Sequence, residues 1–230
     1  MSLPAIRRRR GVEILDDPEV SADLMTRSMS DVARANALFG GRRAAIAELS
    51  CALGGMGAQG SLLDVGTGQG DIPAAAKRIA RKLGLDLWTI GLDMSLTLVS
   101  KHRDRNDVVA RGDGMHLPFK DKSVDVVMAS QVLHHFEFDD AVIVVREMNR
   151  VARQRVVISD LRRSIFAIAG IWAASFPLGF HPVSRHDGVV SVMRGFLPQE
   201  LSDIVKTATG VVPDVSHRLG FRVTAGWKPS

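Results

Sequence analysis

The sequence predicts an α/β fold of the doubly wound, Rossmann-like kind, built on a parallel sheet. Short apolar strands alternate with helical segments between residues 61 and 160. The first strand runs directly into Asp64-Val65-Gly66-Thr67-Gly68-Gln69-Gly70. That glycine-rich turn lies at the carboxyl end of a strand, where open α/β sheets bind ligands. A length of 230 residues, 46% of them hydrophobic, sets a single domain with a sizeable core.

Taken in order, residues 1–17 read as a flexible tail. Its run Arg7 to Arg10 is a solvated basic patch, with contact to anionic lipid or nucleic acid as the competing reading. No apolar segment follows the run, which argues against a signal peptide. Residues 18–54 read as an N-terminal helical cover. Asp31 or Ser30 is the expected cap of a helix from Val32 to Leu53, interrupted at Gly40 and Gly41. Asn36 and Phe39 are the residues expected to turn inward over a ligand. The single cysteine, Cys51, is placed in the core and agrees with a reducing cytoplasm.

Strands are expected at Ser61–Val65, Leu87–Leu92, Val108–Arg111, Val124–Ala129 and Arg155–Asp160. Helices follow the first to about Leu83, the second from Ser95 to His102, and the fourth near Asp140 to Val151. Residues 161–196 form a lid or substrate insertion. Its apolar stretch, 164–180, falls short of the ~20 residues of a membrane span and contains Pro177. It reads as a buried lid helix, with peripheral membrane contact beside Arg162 and Arg163 as the alternative. A helix over Leu197–Ala208 and a hairpin of Asp214–Leu219 with Phe221–Trp227 complete the chain.

The turn discriminates between ligands. Dinucleotide binders need a glycine where this chain has Asp71, and a carboxylate there opposes a pyrophosphate. S-adenosylmethionine (SAM) carries no phosphate but a sulfonium and an ammonium, and Asp64 before the glycines suits it. Asp93 ends the second strand, where an acid accepts from both ribose hydroxyls. Asp113 follows the third strand, where it can accept from an adenine amino group. The segment Ser130 to His135 follows the fourth.

In this order the four features resemble the class I SAM-dependent methyltransferases. Leu63 to Gly70 matches their first motif and Gly91-Leu92-Asp93-Met94-Ser95 the second. Gly112 to Phe119 with Ser123 to Val127 matches the third and fourth. Val132-Leu133-His134-His135-Phe136 is similar to the small-molecule branch, which includes quinone C-methyltransferases and natural-product O-methyltransferases. The resemblance covers residues 60–160. It implies a seven-stranded sheet with an antiparallel last strand and SAM as cofactor. It also implies contacts from Asp64, Gly66, Gly68 and Gly70 at the methionine part and Asp93 at the ribose. Met94 would pack on the adenine, Asp113 and Gly114 would contact it, and Ser130 would lie beside the methionine.

Methyl transfer is chiefly positioning, with a general base optional. Candidate bases are His134, His135, His181 and His186. His135 stands out by its place near the turn, and His186 by its neighbours Arg185 and Asp187. No tyrosine is present to serve instead, and Cys/His metal-ligand spacing is absent. The segment after strand four lacks the Asn/Asp-Pro-Pro-Tyr/Phe of DNA amino-methyltransferases and the glutamate pair of protein arginine methyltransferases. No nucleic-acid-binding signature appears. A small, hydrophobic or aromatic acceptor is therefore expected: a phenol, a polyketide or a quinone. A SAM-binding protein without catalysis and an NAD(P)-dependent oxidoreductase are the competing functions.

Overall fold

The computed structural model describes residues 7–9, 11–17, 19–95, 97, 98 and 103–230. Seven strands form one sheet: β1 Gln59–Val65, β2 Asp86–Asp93, β3 Val108–Arg111, β4 Val124–Ser130, β5 Ala152–Leu161, β6 Asp214–Arg218 and β7 Arg222–Trp227. Their order is β3-β2-β1-β4-β5-β7-β6. β1 to β5 pair in parallel, and β7 enters antiparallel to both β5 and β6. The expected antiparallel last strand is thus present.

Period-two alternation explains the two-sided core. Leu63, Val65, Val127 and Ile158 pack with α4 (Phe138–Val151) and α7 (Pro198–Thr209), around Met148, Leu201 and Trp227. Leu62, Val126, Met128 and Val157 face the other way. They pack on α2 (Gly41–Gly54) and α3 (Asp71–Leu83), through Ala45, Leu49, Ala76 and Ala80. The central strands are buried on both faces, which is why they read as continuous apolar runs.

The N-terminal helices depart from expectation. α1 spans Ala22–Leu38, capped by Ser21, whose side chain accepts from the Leu24 N–H. Ser30 and Asp31 lie inside it. The Ser30 hydroxyl bonds back to the Thr26 carbonyl, and the buried Asp31 accepts from the His181 N–H and pairs with Arg34. A capping signal there was really a tertiary contact. The interruption at Gly40 is real. Gly40 has φ +80°, and a Cβ on it would lie 2.6 Å from the Leu219 carbonyl of the β6–β7 turn. α2 buries Ala45, Leu49 and Leu53 at four-residue spacing, so Cys51 falls on the opposite face and is exposed, not core.

The insertion is α5 (Ile165–Ser175) and α6 (Pro182–Arg194). α5 is not the buried helix expected. Ile165, Phe166, Trp172 and Phe176 are each half or more exposed. Among the described residues no helix is long and apolar enough to cross a membrane. The helix expected over Ser95–His102 falls mostly outside the described residues, as does Arg10. Arg8 is not a frayed residue. Its Nε donates to the Arg194 carbonyl at 2.7 Å, Nη2 reaches the Phe136 carbonyl at 2.9 Å, and the guanidinium covers the Phe196 ring.

Candidate active site

The carboxyl ends of β1, β2 and β4 open into a cavity of about 980 Å³. α1, the insertion and the segment 11–17 close it from above. A smaller space of about 150 Å³ beside Asp64, Gly66 and Ser130 adjoins it, and Gly66, Gly68, Asn36 and Gln131 line both.

The turn after β1 is built by its glycines. Gly66 and Gly68 have φ +70° and +52°, a region that costs a side-chain-bearing residue dearly. The Gly66 and Thr67 N–H groups donate to the Leu92 carbonyl at 2.7 and 3.0 Å, tying the turn to the end of β2. A Cβ on Gly68 would meet only Met29 Cε, at 3.6 Å, so it would fill the cleft and not the protein. Gly70 has a different task. At φ +72° it precedes α3, and a Cβ there would press on Arg105 at 2.9 Å; it does not line the cavity. Asp71 pairs with Arg105, so the helix terminus that would cradle a pyrophosphate is already held in an ion pair.

Asp64 is 1% exposed, and its Oδ1 has no hydrogen-bond partner among the described residues. Burial pushes its carboxyl up to about 7, against the pull of Thr67 and with the help of the Asp93 charge. An orphaned buried carboxylate lining a cleft is fitted to receive a cation. Asp93 accepts from the Gly68 N–H and the Ser95 N–H, both at 2.9 Å, one on each oxygen. These bonds fix its orientation and leave lone pairs on both oxygens. Met94, Gly112 and Gly114 line the same end of the cavity. Asp113 does not. Its Oδ1 accepts from the Met115 N–H at 2.9 Å, closing its own turn. Ser130 lies beside Asp64 and Gly66 in the smaller space.

The histidines separate into distinct environments. His134 is buried, with Nδ1 2.7 Å from Asp160 Oδ1 and its N–H on the other oxygen. Asp160 also accepts from the Leu161 N–H, and burial notwithstanding, the His134 pair holds its carboxyl below the usual range. His135 stands beside it, ring centroids 4.3 Å apart, with its side chain a third exposed in the cavity wall. Its Nδ1 lies 3.2 Å from Asp16 Oδ1. Burial disfavours the imidazolium, but the Asp16 hydrogen bond and the charges of Glu13, Asp16 and Asp160 outweigh it and raise the His135 pKa. Asp16 is held down to about 2 against burial by His135 and Arg194.

His181 caps α6, its Nδ1 accepting from the Val183 N–H. His186 is corrected more sharply. It is half exposed, does not line the cavity, and pairs with Asp187 at 2.8 Å. Asp187, buried, has another use: its two oxygens accept the N–H groups of Ile14 and Leu15, both at 2.9 Å. It thereby pins the segment 11–17 across the cavity. Asp187→Ala should lower unfolding stability by about 2–3 kcal/mol, the scale of losing hydrogen bonds to a charged acceptor. Denaturant titration measures it, and an unchanged midpoint would show that the strap is not anchored there.

Sequence reasoning missed the strap's partners. Glu13, buried, receives the Ser191 hydroxyl and Arg194, and Arg194 also reaches Asp16 at 2.9 Å. Glu13, His134 and His135 place ligand atoms within 4.8 Å of one another. The Arg194 guanidinium, 3.4 Å from His135 Nδ1, already supplies a cation to this cluster. Only Asp160 had a local signal, an acid at a strand end like Asp93. Gln131, at φ +58° with its N–H on the Ser159 carbonyl, and Arg222 were also missed.

Residues 63–158 match the family model described as a methyltransferase domain. Over 111 residues the chain is 32% identical to a demethylmenaquinone methyltransferase from Roseiflexus sp. (strain RS-1), a match covering 44% of this chain and 42% of that protein. The aligned part thus spans less than half of that relative's length. The fold is that of solved SAM-dependent methyltransferases. The trans-methyltransferase CalH, in complex with SAH, superposes with a TM-score of 0.65 at 15% identity, covering 94% of this chain and 64% of that one. Magnesium protoporphyrin IX methyltransferase from Synechocystis, with bound SAM, gives 0.54 at 13% identity over 95% and 89%. A SAM-dependent methyltransferase from Aquifex aeolicus gives 0.53 at 16% over 76% and 85%.

Proposed function

We propose that the protein transfers a methyl group from SAM to a small hydrophobic or aromatic acceptor, a reading supported by the match of residues 63–158 to the methyltransferase-domain model. The observation that carries this is Asp64: a buried carboxylate with an unpartnered oxygen, beside a glycine turn open to a cleft. Asp64 and Ser130 would hold the ammonium end, Gly66 and Gly68 would give backbone access, and Asp93 would take the ribose hydroxyls. Met94, Gly112 and Gly114 would flank the base. Bound there, the cofactor supplies an electrophilic methyl on a sulfonium.

The chain's own residues do the rest. His135 is the general base. Its Nδ1–H donates to Asp16, which leaves Nε2 as the basic nitrogen. Leu161, Phe166, Ile171 and Phe180 line the acceptor side and exclude water from it. That apolar lining, together with a relative named for demethylmenaquinone, supports a phenol-, polyketide- or quinone-like acceptor. The exposed Ile165 and Trp172 of α5 and Phe176 just after it, together with cavity-lining Phe166, support delivery of an apolar acceptor at a membrane surface.

The test is calorimetric titration with S-adenosylhomocysteine (SAH), with NAD as control. SAH alone should bind. The sign of the proton linkage follows from Asp64. Its carboxyl sits at about 7 in the free protein, and an ammonium beside it favours the ionised form. Near neutral pH, binding should therefore release a fraction of a proton, read as a heat that varies with buffer ionisation enthalpy. A heat independent of buffer would remove Asp64 from the ammonium site.

A further inference from the structure

Arg222 opens β7 opposite Leu161 of β5, on the edge of the sheet that bears the cavity. It lines the cavity yet is only 5% exposed. Among the described residues its Nε has no hydrogen-bond partner, and its Nη2 reaches only the Asn36 side-chain oxygen, at 3.4 Å. Among the described residues no carboxylate pairs with it. The opposite charge that acts on it is Asp160, which His134 and two backbone N–H groups already occupy. Burial lowers the Arg222 pKa to about 10. Gly41 makes room for this arrangement: a Cβ there would lie 3.0–3.1 Å from Asn36 Oδ1, Gln131 Nε2 and Arg222 Nε. The three side chains therefore converge from α1, the end of β4 and the start of β7.

A buried guanidinium without a counter-ion is costly to a folded protein unless a ligand completes it. The side chains around it favour an acceptor over the cofactor: Arg222 shares the cavity wall with Phe39, Leu161 and Phe221. It does not line the small space around Asp64 and Ser130. We propose that Arg222, with the Asn36 and Gln131 amides, is an oxyanion subsite that binds the methyl acceptor through an anionic oxygen, a phenolate or an enolate. The proposal rests on the methyl-transfer reading. In the step it serves, the acceptor O–H bond breaks and the proton goes to His135 Nε2. The electron pair stays on the acceptor, its charge balanced by Arg222. The delocalised anion would then bond to the methyl through oxygen or carbon as the methyl–sulfur bond breaks, its electron pair passing to sulfur and SAH leaving as the neutral thioether; after attack through carbon, the proton on that carbon is lost to water.

The probe is 4-nitrophenol, whose phenolate is coloured, added to the full chain loaded with SAH. Bound probe should ionise about one pH unit below free probe, as a neighbouring cation dictates. Arg222→Met should weaken phenolate binding about tenfold or more while SAH affinity stays within about twofold, and Arg222→Lys should restore part of it. Ligand-free Arg222→Met should unfold at a higher temperature than wild type, because an unpaired buried charge is gone. A lower midpoint makes Arg222 structural and overturns the proposal, as does equal phenolate binding by both proteins or none by wild type. Loss of SAH but not of 5′-methylthioadenosine, which lacks the amino acid, would assign Arg222 to the cofactor carboxylate and also overturn it. Failure of wild type to bind SAH at all would instead sink the methyl-donor reading.

Discussion

Replacing His135 with Gln should lower kcat by about 10²–10⁴-fold, the range for a general base, with SAH affinity little changed. The base must be neutral to act. kcat/KM should therefore rise with pH through the His135 pKa, and that acid limb should lie above the ordinary histidine value because Asp16, Glu13 and Asp160 stabilise the imidazolium. Asp16→Asn removes the largest of those favourable contributions, the hydrogen bond at 3.2 Å. The limb should then move to lower pH, and the rate plateau should fall as the base weakens. A purely structural Asp16 would lower activity at every pH without moving the limb. His186→Ala is the control: half exposed and outside the cavity, it should leave both the plateau and the limb in place.

Asp93→Ala should weaken SAH binding by about 2–3 kcal/mol, roughly 30–150-fold, because hydrogen bonds to an ionised carboxylate are lost with nothing to replace them. The far-ultraviolet circular dichroism should be unchanged, since β2 is held by its pairing with β1 and β3. The carboxylate also accepts the Gly68 and Ser95 N–H groups, so part of the loss comes from a loosened turn. Asp93→Asn separates the two contributions: its one remaining acceptor oxygen can keep one of those bonds but cannot serve both ribose hydroxyls. Equal affinity in wild type and both variants would show that Asp93 does not touch the cofactor.

Much of the framework was legible before any coordinates. β3 was placed at its observed ends, and β4, α3 and the terminal hairpin within a residue or two, because alternation, glycine and short apolar runs are signals read inside a few residues. That Gly66, Gly68, Asp93 and Ser130 stand around the cleft was legible for the same reason: each lies at or just after the end of a strand. Three carboxylates found partners that spacing does not show. Asp31 looked like a cap, but it lies inside α1 and accepts the His181 N–H. Asp113, expected at the adenine, does not line the cavity, and its Oδ1 accepts the Met115 N–H. Asp187 does pair with His186, but that pair stands outside the cavity, and the two Asp187 oxygens also accept the N–H groups of Ile14 and Leu15. A sequence shows that a residue can accept a hydrogen bond, not which donor arrives.

The sequence by itself determined the sheet, the glycine turn and the acids that ring it, because those follow from local backbone preference and the two-residue period of a strand. Only the tertiary structure decided which histidine lines the cavity beside a carboxylate and which arginine has no counter-charge among the described residues. Asp16 meets Arg194 across 178 positions, and Asn36 meets Arg222 across 186. Such contacts leave no trace in spacing or composition. They arise because packing the strap and α1 over the carboxyl edge of the sheet brings distant charges into one desolvated volume, where a hydrogen bond or its absence fixes each group's protonation and task.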